Sequence, residues 1–446
     1  MPLASSGQSP MNPAPGAIAF RAADRARRAI DRAMAVDPAV LSRVFTRFDA
    51  GRIAAEAELL DRDEARRSGP LAGLTVSIKD LFDEAGITTT AGSAILSGAP
   101  AATRDAEAVR RLRAAGALGC GRTTMSEFAY SGVGLNPHFG NPGNALDPAR
   151  ISGGSTSGGA LSVALGIADA ALGSDTGGSV RIPAALNGLC GFKPTQTTVP
   201  LDGAFPLSSA YDSVGPLART VAACAAIYAV LSASRPQEAD AMPSRPRIGV
   251  ATGALMDGLD AQVAGDFAAA LDRLSAAGWE LADVELPFLD GYGNVNRVLV
   301  ATEAHAIHRD RLDALQTVGD PRVLKRIRAA EGFGEGDVAD ARARRAAAID
   351  AFAAAAAGFD AFVAPTLPTV APAIAEVEAD FDRLNALMLR NPSAINFLDG
   401  CAATVPMHAA QPLATGLMLF APGGSDWRVL ALARHAEALL PEAPLP

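Results

Sequence analysis

The chain has 446 residues, 49% hydrophobic and 20% charged, with a formal net charge of −9. That length buries a sizeable core without cross-links. An acidic balance with no block of Lys and Arg argues against direct binding to nucleic acid or to an anionic membrane surface.

The four cysteines, Cys120, Cys190, Cys224 and Cys401, lie far apart, with no CxxC pair and no Cys/His metal spacing. They read as buried free thiols of a reducing compartment. Residues 1–15, rich in Pro, Ser and Asn, read as a disordered tail, and residues 1–20 lack the basic region and apolar core of a secretory signal. No apolar run reaches the ~18 residues of a membrane span. The longest, Val221–Leu231, reads as a buried helix. The expectation is a soluble, cytoplasmic protein.

Residues 17–34 carry a helical pattern, Asp37-Pro38 opens a second helix, and a third runs from about Arg52 to Arg67 with charges alternating on its exposed face. These are scaffold helices whose charged faces leave room for a homodimer surface. Gly69-Pro70 then turns the chain into LTVSIKD, where Leu74, Val76 and Ile78 alternate with Thr75, Ser77 and Lys79 at the period of a strand. Lys79 therefore ends a β-strand. It is either a solvated strand-edge lysine or a buried base with a lowered pKa, and nothing local decides between them.

A polar loop follows, then an amphipathic helix over Asp105–Ala115 stopped by Gly116, then a buried strand and loop in ALGCGRTTMSEFAYSG. Strand, helix, strand in that order makes a βαβ unit with parallel strands. His138, in the turn-rich segment Asn136–Pro148, reads as a loop histidine and not a metal ligand.

The segment Ile151–Thr195 holds two clusters of glycine and small hydroxyl residues, GGSTSGG and GSDTGGS, around the apolar run ALSVALGIADAALG, which is expected as one helix. Ser155, Thr156 and Ser157 can each cap its start. Neither cluster fits a P-loop or a GxSxG elbow, and no histidine stands in a motif beside a serine. Serine attacks only when a base takes its proton, and Ser-Lys arrangements do this without histidine. The lysine must then be neutral, so its pKa must fall from ~10.4 towards neutrality. Paired glycines leave backbone N–H groups unhindered, as an oxyanion hole requires. Either loop alone is equally well a tight turn; both loops with Lys79 favour chemistry.

Asp212, Gly215-Pro216 and Arg219 mark a turn into the helix around Val221. Arg247–Val250, Ala261–Ala277 and Trp279–Leu286 read as strand, helix and strand, a second βαβ-like half. Residues 293–358 are mostly helical, and His305 with His308 is too weak a pair to predict a metal site. Asp360–Val363 reads as a strand, Leu384–Arg390 as a helix, Asn396–Val405 as loop and strand, and Asp426–Leu439 as the last helix.

Several of these stretches together resemble the amidase signature family of serine hydrolases. They are PLAGLTVSIKDLFD, ISGGSTSGGA and GSDTGGSVRIPAALNGLCGFKPT, with SSAYDSVGPLART, DAFVAPTLPTVAP and GLMLFAPGGSDWRVLALA in character and order, from about Gly69 to Pro446. The resemblance implies one large α/β domain over residues 16–446, a central twisted mixed sheet flanked by helices, with a helical part at 16–68 and a core at 69–446. It implies Ser179 as nucleophile, Ser155 as a proton bridge behind a cis peptide bond, and Lys79 as the base. The backbone of Thr176, Gly177, Gly178 and Ser179 would meet the oxyanion. Asp175 and Arg181 are expected to brace that loop, and Phe128, Tyr130, Phe205 and Asp399 to wall the pocket. The implied activity is hydrolysis of a small-molecule amide, or a carbamoyl or urea-type compound, releasing ammonia or an amine without cofactor or metal. Two other readings stand beside it. One is the glutaminase-type A subunit of a tRNA-dependent amidotransferase, where another subunit would hold the tRNA. The other is a catalytically silent binding member.

Overall fold

Short apolar runs punctuated by glycine and proline fold as strands of three to six residues. The computed structural model describes residues 21–407 and 412–441, and in it these strands join one 11-stranded sheet. In chain order they are β1 (Phe45–Arg47), β2 (Thr75–Lys79), β3 (Leu118–Thr123), β4 (Ala170–Ser174), β5 (Cys190–Lys193), β6 (Val214–Ala218), β7 (Arg247–Thr252), β8 (Glu280–Glu285), β9 (Ala361–Pro365), β10 (Cys401–Pro406) and β11 (Gly416–Ala421). Across the sheet they run β1-β3-β2-β4-β6-β5-β10-β11-β9-β7-β8. The strands β3, β2 and β4 are mutually parallel, as are β8, β7 and β9, and antiparallel pairs join the two groups. Both expected βαβ halves are present, in a mixed sheet flanked by helices.

The helices before Gly69 pack on this same sheet: Ala22, Ala26, Ile53, Ala57 and Leu60 share a core with Leu118, Cys120 and Ala160. The tail expected at residues 1–15 lies outside the described residues. Among the described residues no helix is long and apolar enough to cross a membrane.

Three expectations are corrected. The third helix stops at Arg62, where Asp63 accepts from the Arg66 N–H and caps a separate turn, Glu64–Arg67. The run after the first serine cluster is not one helix: Ser157–Ala164 is helical, Gly166 takes φ 69°, and Ala170–Ser174 becomes β4. A run apolar on every side has no period to read, so helix and buried strand look alike in sequence. Nor does a serine or threonine cap this helix, since Thr156 holds the N-cap position without a side-chain cap bond.

The site depends on how closely the central strands approach. In β6, Gly215 faces Gly173 of β4, and a Cβ on Gly215 would lie 2.1 Å from the Phe192 carbonyl oxygen. Gly265, in the helix Ala261–Ala276, has nothing within 4 Å of its Cβ position. Gly215→Ala is expected to destabilise the fold by roughly 1–3 kcal/mol or more through overpacking. Gly265→Ala should instead stabilise it by about 0.5–1 kcal/mol by restricting the unfolded chain. Urea melts of the two variants would show the opposite shifts.

Candidate active site

Lys79 is the last residue of β2, a strand whose five residues are all buried. Its position between β3 and β4 leaves the side chain no exposed surface. The amine Nζ lies 2.7 Å from Ser155 Oγ and 2.9 Å from Ser174 Oγ, and among the described residues it makes no ion pair. Burial pushes its pKa down to about 7, against the opposing pull of Asp175 and Asp212. The uncharged amine is therefore accessible near neutrality. Ser174 ends β4, which runs parallel to β2. Sequence reasoning missed this residue because it missed the strand that delivers it.

Ser155 is fully buried, and the Gly154–Ser155 peptide bond is cis. The loop is seated on the segment 126–134. The Gly154 N–H donates to the Gly132 carbonyl at 2.8 Å, and Ser126 N–H donates to the Ser155 carbonyl at 3.2 Å. A Cβ on Gly154 would meet the Gly134 nitrogen at 2.6 Å, so only glycine lets the two backbones approach this way. The Thr156 N–H donates to the Ser179 carbonyl at 3.2 Å, which brings the two serine loops into contact. Ser179 itself is only 3% exposed, and that surface opens on a cavity.

The loop carrying Ser179 is built on a buried ion pair. Asp175 and Arg181 both have no exposed side-chain surface, and Arg181 Nη2 donates to Asp175 Oδ1 at 2.9 Å. The same carboxylate accepts the N–H groups of Gly178 at 2.8 Å and Val180 at 3.2 Å. Asn396 Nδ2 adds a bond of 3.0 Å from a helix 221 residues along the chain. Burial alone would raise the Asp175 carboxyl, but the Arg181 guanidinium and these hydrogen bonds hold it well below the usual range. Of the four backbone N–H groups expected to meet an oxyanion, that of Gly178 donates to Asp175, whereas those of Thr176, Gly177 and Ser179 have no partner among the described residues. Thr176, Gly177 and Ser179 line the cavity and Gly178 does not. Thr176 is fixed further by its Oγ1, which donates to Asp212 Oδ1 at 2.6 Å. Burial raises the Asp212 carboxyl to about 6 despite that bond and two backbone N–H donors. The sequence marked Asp212 only as a turn, and nothing in it pointed to Asn396.

The cavity has a volume of about 580 Å³, and Tyr130 lines it as expected. The other three wall candidates are placed elsewhere. Phe128 is buried against Phe205 and His308, with ring centres 5.3 and 4.2 Å away. Phe205 lines a smaller space of about 80 Å³ beside Thr176 and Asp212. Asp399 sits in the turn between the helix Phe381–Phe397 and β10, with φ 51°, and lines neither space. Aromatic type alone could not separate a core ring from a pocket wall. Among the histidines, His138 Nε2 lies 3.0 Å from Glu127 Oε1, and burial lowers the His308 imidazole to about 4.

A family model described as Amidase matches residues 24–430. A 2-amino-5-chloromuconic acid deaminase of Comamonas testosteroni is 32% identical over 413 residues, covering 89% of this chain and 88% of its own length. The A subunit of a glutamyl-tRNA(Gln) amidotransferase from Synechococcus sp. (strain RCC307) is 32% identical, covering 95% of this chain and 96% of its own length. A crystal structure of an amidase superposes with a TM-score of 0.85 at 35% identity, covering 95% of this chain and 97% of that one.

The buried amine makes a prediction about stability. The folded state releases the Lys79 proton near pH 7, whereas an unfolded lysine keeps it to about 10.5. Between those values the unfolded chain binds the extra proton, so the cost that Lys79 imposes on folding is fully present below pH 7 and is relieved as pH rises towards 10.5. Lys79→Met should therefore gain stability relative to the parent as pH falls from 10 to 6. Paired thermal melts across that range check this; a relative gain in the opposite direction would contradict it.

Proposed function

The chain belongs to the Amidase family, and on that premise we propose that it cleaves its amide through an acyl-enzyme on Ser179. The chain is a hydrolase of amide C–N bonds. The observation that carries the catalytic assignment is the 2.7 Å bond between Lys79 Nζ and Ser155 Oγ, in a site where burial favours the free amine.

In this reading neutral Lys79 accepts the Ser155 hydroxyl proton as Ser155 accepts that of Ser179. The Ser179 oxygen then bonds to the amide carbon. Negative charge gathers on the carbonyl oxygen and meets the unpartnered N–H groups of Thr176, Gly177 and Ser179. As the C–N bond breaks, Lys79 returns the proton through Ser155 to the leaving nitrogen, which departs as ammonia or an amine. Water then adds to the ester by the same relay, releasing the acid and restoring Ser179. Asp175 and Arg181 take no part in the proton transfer; they hold the donors in place.

Similarity to the A subunit of an amidotransferase, along nearly the whole chain, supports a second reading in which the same chemistry frees ammonia inside a complex. Ammonia release from primary amides by the purified chain alone favours the free hydrolase. Release from glutamine only when partner proteins are added favours the other.

Ser179→Ala should lower amide turnover by at least about 10³-fold, the scale on which nucleophile replacements act. Full activity in that variant would overturn the mechanism. For the wild type, kcat/KM should fall about tenfold per pH unit below the Lys79 value of about 7, because protonated Lys79 cannot accept. A flat profile down to pH 5 would remove Lys79 as the base.

A further inference from the structure

The cavity in front of Ser179 carries charge opposite to that of the chain. Its lining includes Arg297, Lys325, Arg326 and Arg390 but one carboxylate, Asp382, in a protein of net charge −9. Three of these cations are already engaged. Lys325 Nζ pairs with Asp382 at 2.6 Å. Arg390 donates to the carbonyls of Leu255 and Asp257 and to Asn391 Oδ1. Arg297 is exposed and lies over the Phe333 ring at 5.2 Å.

Arg326 differs. It projects from the helix Pro321–Arg328, whose Val323, Leu324 and Ile327 are buried. Its Nη1 donates to the Tyr130 carbonyl at 2.6 Å, and the guanidinium lies 4.3 Å from the centre of the Tyr130 ring. Both acids whose field reaches it are committed elsewhere, Asp382 to Lys325 and Asp320 to Arg322 through bonds of 2.8 Å. Among the described residues Arg326 forms no ion pair, and Nε and Nη2 have no acceptor. Burial lowers its pKa, so its charge is held at a cost that an arriving anion would offset. A guanidinium with an open edge of two N–H groups matches a carboxylate, which can take both. Tyr130 occupies the other edge and the face of a guanidinium that lines the cavity.

We propose that Arg326 is the specificity-determining residue of this pocket, binding a carboxylate at the far end of the amide substrate. The substrate class is then an amide of a small dicarboxylic acid or an equivalent anionic amide. The inference rests on the hydrolase reading of Ser179 and adds the substrate's second functional group.

The test compares glutaramate with 5-methylhexanamide, which replaces the carboxylate by an isopropyl group of the same shape. Wild type should favour glutaramate in kcat/KM by ~10–100-fold, the scale of a charged hydrogen-bonded contact. In Arg326→Met that ratio should fall towards one, chiefly through KM, and Arg326→Lys should restore part of it. A turnover-free arm measures glutarate binding to the Ser179→Ala protein by calorimetry, with a weakening of ~10–100-fold expected when Arg326→Met is added. Equal use of both amides by wild type, an equal loss for both in Arg326→Met, or glutarate binding indifferent to Arg326 would overturn the proposal. Glutaramate hydrolysis at the wild-type rate by Ser179→Ala would instead overturn the acyl-enzyme reading, and the binding arm would still judge Arg326.

Discussion

A lysine amine with no exposed surface, hydrogen-bonded among the described residues to two hydroxyls alone, is the constraint from which the rest of this site follows. An ammonium buried without a carboxylate in contact is expensive, and the amine form relieves that cost. The fields of Asp175 and Asp212 oppose the effect and keep the pKa near neutrality, at about 7. Those two acids are themselves tuned in opposite directions. Asp175 is held ionised by Arg181, while burial raises Asp212 to about 6. The proton balance at Lys79 is thus set first by burial and then by two acids that oppose it without touching it. Burying β2 on both faces and both edges is what makes this possible, because a strand at the sheet margin would leave the amine solvated and charged.

The second requirement is a rigid loop, and here the ion pair serves geometry. Removing one partner of a buried pair costs about 3–5 kcal/mol because the other charge is stranded. Asp175 spends its oxygens on Gly178, Val180, Arg181 and Asn396. It takes the Gly178 N–H, while those of Thr176, Gly177 and Ser179, residues that line the cavity, have no partner among the described residues. The loop is also clamped from outside: a Cβ on Gly178 would lie 2.4 Å from Pro392 in the helix Phe381–Phe397. A helix late in the chain therefore sets the conformation of a loop in its middle.

What could be read in the sequence was the chemistry written in adjacent residues. Lys79 at a strand end, and Ser155 and Ser179 each after paired glycines, are local patterns, and the structure brings Lys79 to Ser155 and the two serine loops together. Asp175 and Arg181 stand six residues apart and bridge within one loop. What could not be read was set by distance or by uniformity. β4 is buried along its whole length and gave no alternation to read, so Ser174 at its end was missed with it. Asn396 reaches Asp175 across 221 residues, and no local pattern marks it. The pocket wall fails for the same reason. Phe128 and Tyr130 are two residues apart, yet one joins the core and the other the cavity, a choice fixed by positive φ at Phe128 and Ala129.

The electrostatics of the cavity bear on what kind of substrate the fold can serve. Nucleic acid is held by cations spread along a surface, each neutralising a phosphate. Here the basic side chains converge inside a concave space within a chain whose net charge is −9. Low-dielectric walls focus such a field inwards. A small anion is drawn to the mouth and finds one guanidinium edge to meet, whereas an extended polyanion gains no run of contacts and is repelled by the net charge. The same lining separates the two sides of the proposed reaction: hydrolysis of an amide in this cavity adds a carboxylate, and the basic side chains oppose release of that extra charge.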